Sequence, residues 1–120
     1  MSNYNGFKPE GDIYLIFEKV DFRMCVNGLT SFIQEKLDVS LFSRACFLFC
    51  NRGCDKIKII EWDFNGFWMY YKRLESGKFV WPHSTELMTR ISRDQYDWLM
   101  NGLSIDQRDG FKEILAEKVM

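Results

Sequence analysis

Three carboxylates, Asp55, Glu61 and Asp63, fall in one short stretch of the chain. They are the residue type that holds a divalent cation for phosphodiester chemistry, since Mg²⁺ sites are built on one or two carboxylates. Their spacing argues against that use. On an extended strand the three share a face with Ile57 and Ile59, but Asp55 and Asp63 then stand roughly 25 Å apart at ~3.3 Å per residue, too far to share one ion. His83, the single histidine, sits beside Ser84 and Thr85 with no orienting partner for nucleophilic catalysis, and reads as a surface loop residue. The four cysteines, Cys25, Cys46, Cys50 and Cys54, lack the Cys-x₂-Cys knuckle of structural zinc sites. Three of them lie in apolar segments, where a free thiol behaves as a small hydrophobe. Cys46 and Cys50 point to one face of a strand about 13 Å apart and cannot bridge each other. No catalytic residue, metal ligand or cofactor site is therefore predicted, and the chain is read as not an enzyme.

Basic residues interleaved with aromatic ones give a stronger signal. Between residues 44 and 90 eight basic side chains face five acidic ones, although the whole chain carries a formal charge of −1. That overall balance excludes a protein that coats nucleic acid by bulk electrostatics and leaves a local patch as the alternative. A hairpin turning at Asn65-Gly66, between Phe64 and Phe67, would set Lys58 opposite Arg73, Ile60 opposite Tyr71 and Trp62 opposite Met69. Lys56 joins the same face. Like charges directly opposed are unfavourable without an anion between them, and basic groups beside aromatic rings are what phosphate contact and base stacking need. The competing reading is a solvated edge balanced by Glu61, Asp63 or Glu75. Trp62, Trp68, Trp81 and Trp98 each default to the core; exposure as a stacking platform or interface anchor is the minority reading for Trp68 or Trp81, which border turns.

The elements that must position these residues are legible from periodicity. Asp12–Val20 reads as a strand, and Asp21 is placed to cap a helix over 22–37 whose stripe is Cys25, Leu29, Phe32, Ile33 and Leu37. Gly28 inside it suggests close packing on the sheet. Ala45–Cys50, uninterruptedly apolar, predicts a central strand. Asp55–Trp62 and Gly66–Leu74 form the hairpin, and Ser76-Gly77 marks a further reversal before a strand at Phe79, Val80 and Trp81, ended by Pro82. Glu75 and Lys78 flank that reversal as a cross-strand pair. Glu86–Ile91 is a short extended piece. Ser92 with Gln95 carries the capping-box pattern of a helix over 93–102 that buries Tyr96, Leu99, Met100 and Leu103 and ends at Gly102. Phe111, Ile114, Leu115 and Val119 sketch a C-terminal helix that needs a docking surface to be stable. The expected fold class is α+β: an antiparallel β-meander of about five strands covered by two helices. With 120 residues and 47% hydrophobic content the chain makes a single domain, 1–120, with one core. No apolar run is long enough to span a membrane. The N-terminus has no basic region followed by an apolar one, so the predicted location is cytoplasmic.

The run Asn51-Arg52, Asp55-Lys56-Ile57-Lys58, Trp62-Asp63, Gly66-Phe67, Lys72-Arg73-Leu74-Glu75, Gly77, Phe79 and Trp81-Pro82, together with Asp21-Phe22-Arg23 and Asn27-Gly28-Leu29, resembles the small accessory protein of the insertion sequence 66 family of bacterial transposable elements. This is the TnpB-like protein of the second open reading frame. The likeness covers a core of roughly 13–104, leaving 105–120 as an extension. It implies a non-catalytic protein that assists transposition by binding element DNA, the transposase of the same element, or both. The alternative is a protein-interaction or regulatory module that does not touch nucleic acid. The residues expected at the binding surface are Arg23, Arg52, Lys56, Lys58, Lys72, Arg73, Trp68 and Trp81.

Overall fold

The computed structural model describes residues 4–36 and 44–107. The chain runs through β1 (Ile13–Ile16), α1 (Val26–Lys36), β2 (Cys46–Cys50), β3 (Lys56–Asp63), β4 (Gly66–Arg73), β5 (Met88–Ile91) and α2 (Arg93–Met100). The expected α+β class with five strands and two helices is what forms, and the strands make one sheet in the order β4-β3-β2-β1-β5. The sketched C-terminal helix lies outside the described residues.

The sheet is mixed, not the antiparallel meander that was expected. β1 runs parallel to β2, pairing Ile13 with Cys46 and Leu15 with Leu48, while the other three pairings are antiparallel. The reason is α1. A helix between two strands carries the chain back to the end it started from, so the second strand enters in the same direction as the first; only a tight turn reverses it. The parallel direction persists past β1 in an isolated bridge between Val20 and Asn51, where the Val20 N–H donates to the Cys50 carbonyl at 2.9 Å.

β2 is central, as its apolar run predicts, and each of its five residues is buried. Cys46, Leu48 and Cys50 join Ile13, Leu15, Ile57 and Ile59 on the face covered by α2 through Tyr96, Leu99 and Met100. Phe47 and Phe49 join Ile16 and Ile60 on the other face, covered by Leu29 and Ile33 of α1. Alternating side chains thus build two half-cores on one sheet.

Several local expectations change. α1 begins later than predicted, because Asp21 heads a separate turn: its carbonyl accepts from the Met24 N–H at 3.1 Å and its carboxylate accepts from the Arg23 N–H at 2.9 Å. The hairpin loop is Phe64-Asn65, with Asp63 paired to Gly66 and Phe64 holding a φ of 52°. This slides the register by two residues, so Lys58 faces Tyr71, Ile60 faces Met69 and Trp62 faces Phe67; an even slide preserves which face each side chain occupies. It lets Trp62 and Phe67 meet edge to face at 5.0 Å. Phe79, Val80 and Trp81 form no ladder. Phe79 and Trp81 are nonetheless buried, tied by the Phe79 N–H to the Cys54 carbonyl at 2.7 Å and by the Trp81 indole N–H to the Ile16 carbonyl at 3.0 Å. Gly28 makes room for the Met24 side chain, not for the sheet.

α2 matches its signature. Ser92 Oγ accepts from the Gln95 N–H at 3.1 Å while Gln95 Oε1 accepts from the Ser92 N–H at 2.8 Å, and Gly102 ends the helix with a φ of 81°. Leu103, expected inside, is exposed. Glu75 pairs with Arg73 at 3.0 Å instead of crossing to Lys78.

Candidate nucleic-acid interface

Parallel strands leave the sheet at the same end. The turn after β1, carrying Asp21-Phe22-Arg23, and the turn after β2, carrying Asn51-Arg52, therefore sit side by side, joined by the Val20–Asn51 bridge. Between them opens a groove of about 480 Å³ lined by Phe22, Arg23, Asn51, Arg52, Lys56 and Tyr71, among others.

Asn51 builds the second turn. Its Oδ1 accepts from the backbone N–H groups of Asp55 and Lys56 at 3.1 and 3.0 Å, and its Nδ2 donates to Asp55 Oδ1 at 2.7 Å. One amide side chain thereby closes the β2–β3 connection, while Cys54 takes the left-handed conformation at φ 58° that the sharp reversal needs. That hydrogen bond from Asn51 is the main reason the Asp55 carboxyl is held below its ordinary range. Arg52, at the tip, is left exposed.

Asp21 aims Arg23. The guanidinium donates from Nε to both carboxylate oxygens, Oδ1 at 3.1 Å and Oδ2 at 2.9 Å, and from Nη2 to Oδ2 at 2.5 Å, and these bonds, with a smaller contribution from Arg52, pull the Asp21 carboxyl down to about 2. The Arg23 side chain stays 92% exposed. On the sheet wall, Lys56 is the cross-strand partner of Arg73; this like-charge pair is offset by Asp55, 3.8 Å from Lys56, and by Glu75, 3.0 Å from Arg73.

Of the eight side chains expected at the binding surface, Arg23, Arg52 and Lys56 line the groove and Arg73 adjoins it. The other four do not come together there. Lys58 lies beneath the groove, only 6% exposed. Its ammonium donates to the Phe22 and Met24 carbonyls, each at 3.0 Å, and stands over the rings of Phe22 and Tyr71 at 4.9 and 5.7 Å. Lys72 points to the opposite face, its Nζ 4.8 Å from the Tyr4 ring. Trp68 shares that opposite face; it is half exposed and donates to Asp63 at 2.7 Å. Trp81 is buried. The sequence reading missed Phe22 and Tyr71 as aromatic walls and Asn51 as the organiser; the Asn-Arg pair before Gly53 was the signal for the last.

The carboxylates do not converge. Asp55 serves the groove's turn, Asp63 the hairpin tip, and Glu61 is buried at 2% exposure with Arg44 3.8 Å away. Among the described residues no group of three His, Cys, Asp or Glu side chains could hold a metal ion, and no helix is long and apolar enough to cross a membrane. Cys46 and Cys50 are buried free thiols, pushed up to about 12 by burial. What the groove can do is bind an anion, with three cations from three segments and two rings.

The family described as IS66 Orf2 like protein matches residues 11–110, a span that contains every groove residue. Two uncharacterized proteins of Sinorhizobium fredii are similar: y4jC, 32% identical over 91 residues, covering 76% of this chain and 78% of its own, and y4hO, 29% identical over 91 residues, covering 76% and 79%. No solved structure matches. The chain belongs to the IS66 Orf2-like family of insertion-sequence proteins.

Proposed function

We propose that this chain is a non-catalytic accessory protein of an insertion-sequence element, which assists transposition in the cytoplasm by holding element DNA through its phosphate backbone. The observation that carries this is the convergence of Arg23, Arg52 and Lys56 on one groove, with Arg73 beside Lys56. The contacts would position a duplex without reading its bases, since guanidinium and ammonium groups on phosphates carry no sequence information. Any sequence preference then comes from the larger transposase working beside it.

Salt titration tests this. Three to four phosphate contacts give a slope of log affinity against log salt of about −3, at about −0.9 per contact. Arg52→Glu together with Lys56→Glu should cut the slope by about 2 and weaken binding equally on unrelated duplexes. A second reading is favoured by Asp21, which already occupies one arginine of the groove: the groove then engages the transposase and no nucleic acid. Absence of DNA binding at low salt, with retention of the transposase on the immobilised chain, would establish that reading in place of the first.

A further inference from the structure

β4 is an edge strand of eight residues, GFWMYYKR, without a proline. Among the described residues its only strand neighbour is β3, and no backbone hydrogen bond from elsewhere reaches its outer side. Natural edges are blunted by charge, proline, bulges or covering segments; here the charges sit only at the C-terminal end, in Lys72 and Arg73, and the N-terminal segment packs on the α2 side, Phe7 stacked on Tyr70 at 3.9 Å and the Tyr4 ring 4.8 Å from Lys72 Nζ, without pairing to the strand's outer backbone. The apolar residues are exposed on both faces of the sheet. Trp68, 54% exposed, is on the α2 side, whereas Met69 and Tyr71, 38% and 51% exposed, are on the α1 side. A missing layer would bare one face. A missing strand bares both.

Gly66 is the second observation. Its φ is not among the positive ones, and a Cβ built on it meets nothing within 4 Å. Neither conformation nor packing within the single chain asks for glycine there, and glycine weakens a strand. Directly behind it on the same face stands its pairing partner on β3, Asp63.

We propose that β4 pairs with itself: two copies of the chain join antiparallel through their β4 strands about a two-fold axis at Met69, and each Lys72 crosses the partner's Gly66 to reach the partner's Asp63. A two-fold axis perpendicular to the sheet keeps each face continuous, so only residues of like parity can stand opposite one another. Centring on Met69 sets Lys72 against the partner's Gly66, Tyr70 against the partner's Trp68, and Phe67 against the partner's Tyr71, which are aromatic cross-strand pairs of the favourable kind. Asp63 lies one strand further on, about 10 Å from Lys72 between Cα atoms at ~4.8 Å per strand, a span that a lysine and an aspartate side chain bridge across a residue without a Cβ. A parallel pairing would instead align Lys72 and Arg73 with their own copies, which like charges disfavour. The result is one ten-stranded sheet with both basic grooves on the same face; the inference does not depend on what those grooves bind.

Sedimentation of the full chain at micromolar concentrations should show a dimer. Gly66→Thr, which favours a strand but fills the slot, should weaken the dimer about tenfold or more while leaving the thermal midpoint unchanged or higher at concentrations low enough for both chains to be monomeric. Asp63→Lys and Lys72→Asp should each weaken it about tenfold, and the two combined should restore it, because the pair recurs twice across the axis. A monomeric wild-type chain, a dimer indifferent to Gly66→Thr, or a charge swap that fails to restore association would each overturn the proposal.

Discussion

Replacing Lys58 with methionine separates a structural lysine from a phosphate-binding one. The ammonium closes two hydrogen bonds, to the carbonyls of Phe22 and Met24 at 3.0 Å, and lies over two aromatic rings. Hydrogen bonds to a charged group contribute about 1.5–3 kcal/mol each, and a partly desolvated cation–π contact about 1 kcal/mol. Against these stands the desolvation of the ammonium, several kcal/mol for a buried ion. The methionine keeps the aliphatic stem and leaves two carbonyls without their donor, so the net loss should be about 2–4 kcal/mol. Because the anchored segment is the turn that aims Arg23, the same change should also loosen the groove. Urea unfolding gives the first quantity, with the dependence on urea held constant to show that the unfolded state is unaltered; salt titration of DNA binding gives the second. For Lys58→Met the expectation is a lower midpoint with the salt slope changed by less than one contact. Stability within about 0.5 kcal/mol of wild type, accompanied by a slope shallower by about 0.9, would refute the reasoning and return Lys58 to the phosphate-contacting set.

Asn51→Ala removes two acceptor contacts and one donor contact that close the β2–β3 turn and should destabilise the chain by about 2–3 kcal/mol in the same unfolding assay. The Asp21 carboxyl is lowered to about 2 by Arg23, so its contribution to stability is present above the ordinary aspartate range and lost as pH falls from about 4 towards 2; an Asp21→Asn variant should show a flatter acid limb. Glu61 behaves in the opposite sense. Burial raises its pKa, partly offset by Arg44, so its ionisation opposes folding above that raised value, and Glu61→Gln should unfold at a higher temperature than wild type at neutral pH, the difference vanishing below the unfolded glutamate pKa near 4.5. Among the cysteines, Cys25 is exposed and its thiol is lowered by the N–H groups of Gly28 and Asn27. A thiol-reactive probe should label it first and leave Cys46 and Cys50 untouched until unfolding; early labelling of Cys46 would contradict its place in the core.

The legible part of the fold is the part specified by neighbours in sequence. The capping box at Ser92, the buried strand at Cys46–Cys50 and the hairpin around residue 65 depend on local turn chemistry and periodicity, and each was readable. The parallel β1–β2 pair was not read, although a helix between two strands implies it, because nothing local marks strand direction. The hairpin register slipped by two because Asn-Gly is a strong turn signal, yet here Phe64 takes the positive φ and Gly66 enters the strand. Parity correctly put Lys56, Lys58 and Arg73 on one face. What it could not show is that the Phe22–Met24 turn folds over that face and seals Lys58 beneath it, leaving the groove to Arg23, Arg52 and Lys56. Phe79 and Trp81 kept the inward alternation of a strand without its ladder, since burial periodicity alone does not require a neighbour to pair with.

The strand order also fixes how the sheet can be assembled in time. β3 and β4 are joined by two residues, β2 and β3 by a five-residue turn, whereas β1 finds one neighbour across α1 and the other, β5, across most of the described chain, from Ile13–Ile91 to Ile16–Met88. Loop closure grows more costly with separation, and non-local pairings form late. The expected order of assembly therefore runs from β4 inward, with β1 settled last, when β5 arrives. On that order the aromatic edge of β4 would form before the far side of the sheet closes, while core strands are still exposed. During refolding, association through that edge should compete with completion of the fold in a concentration-dependent manner, so dilution is expected to raise the yield of native chain.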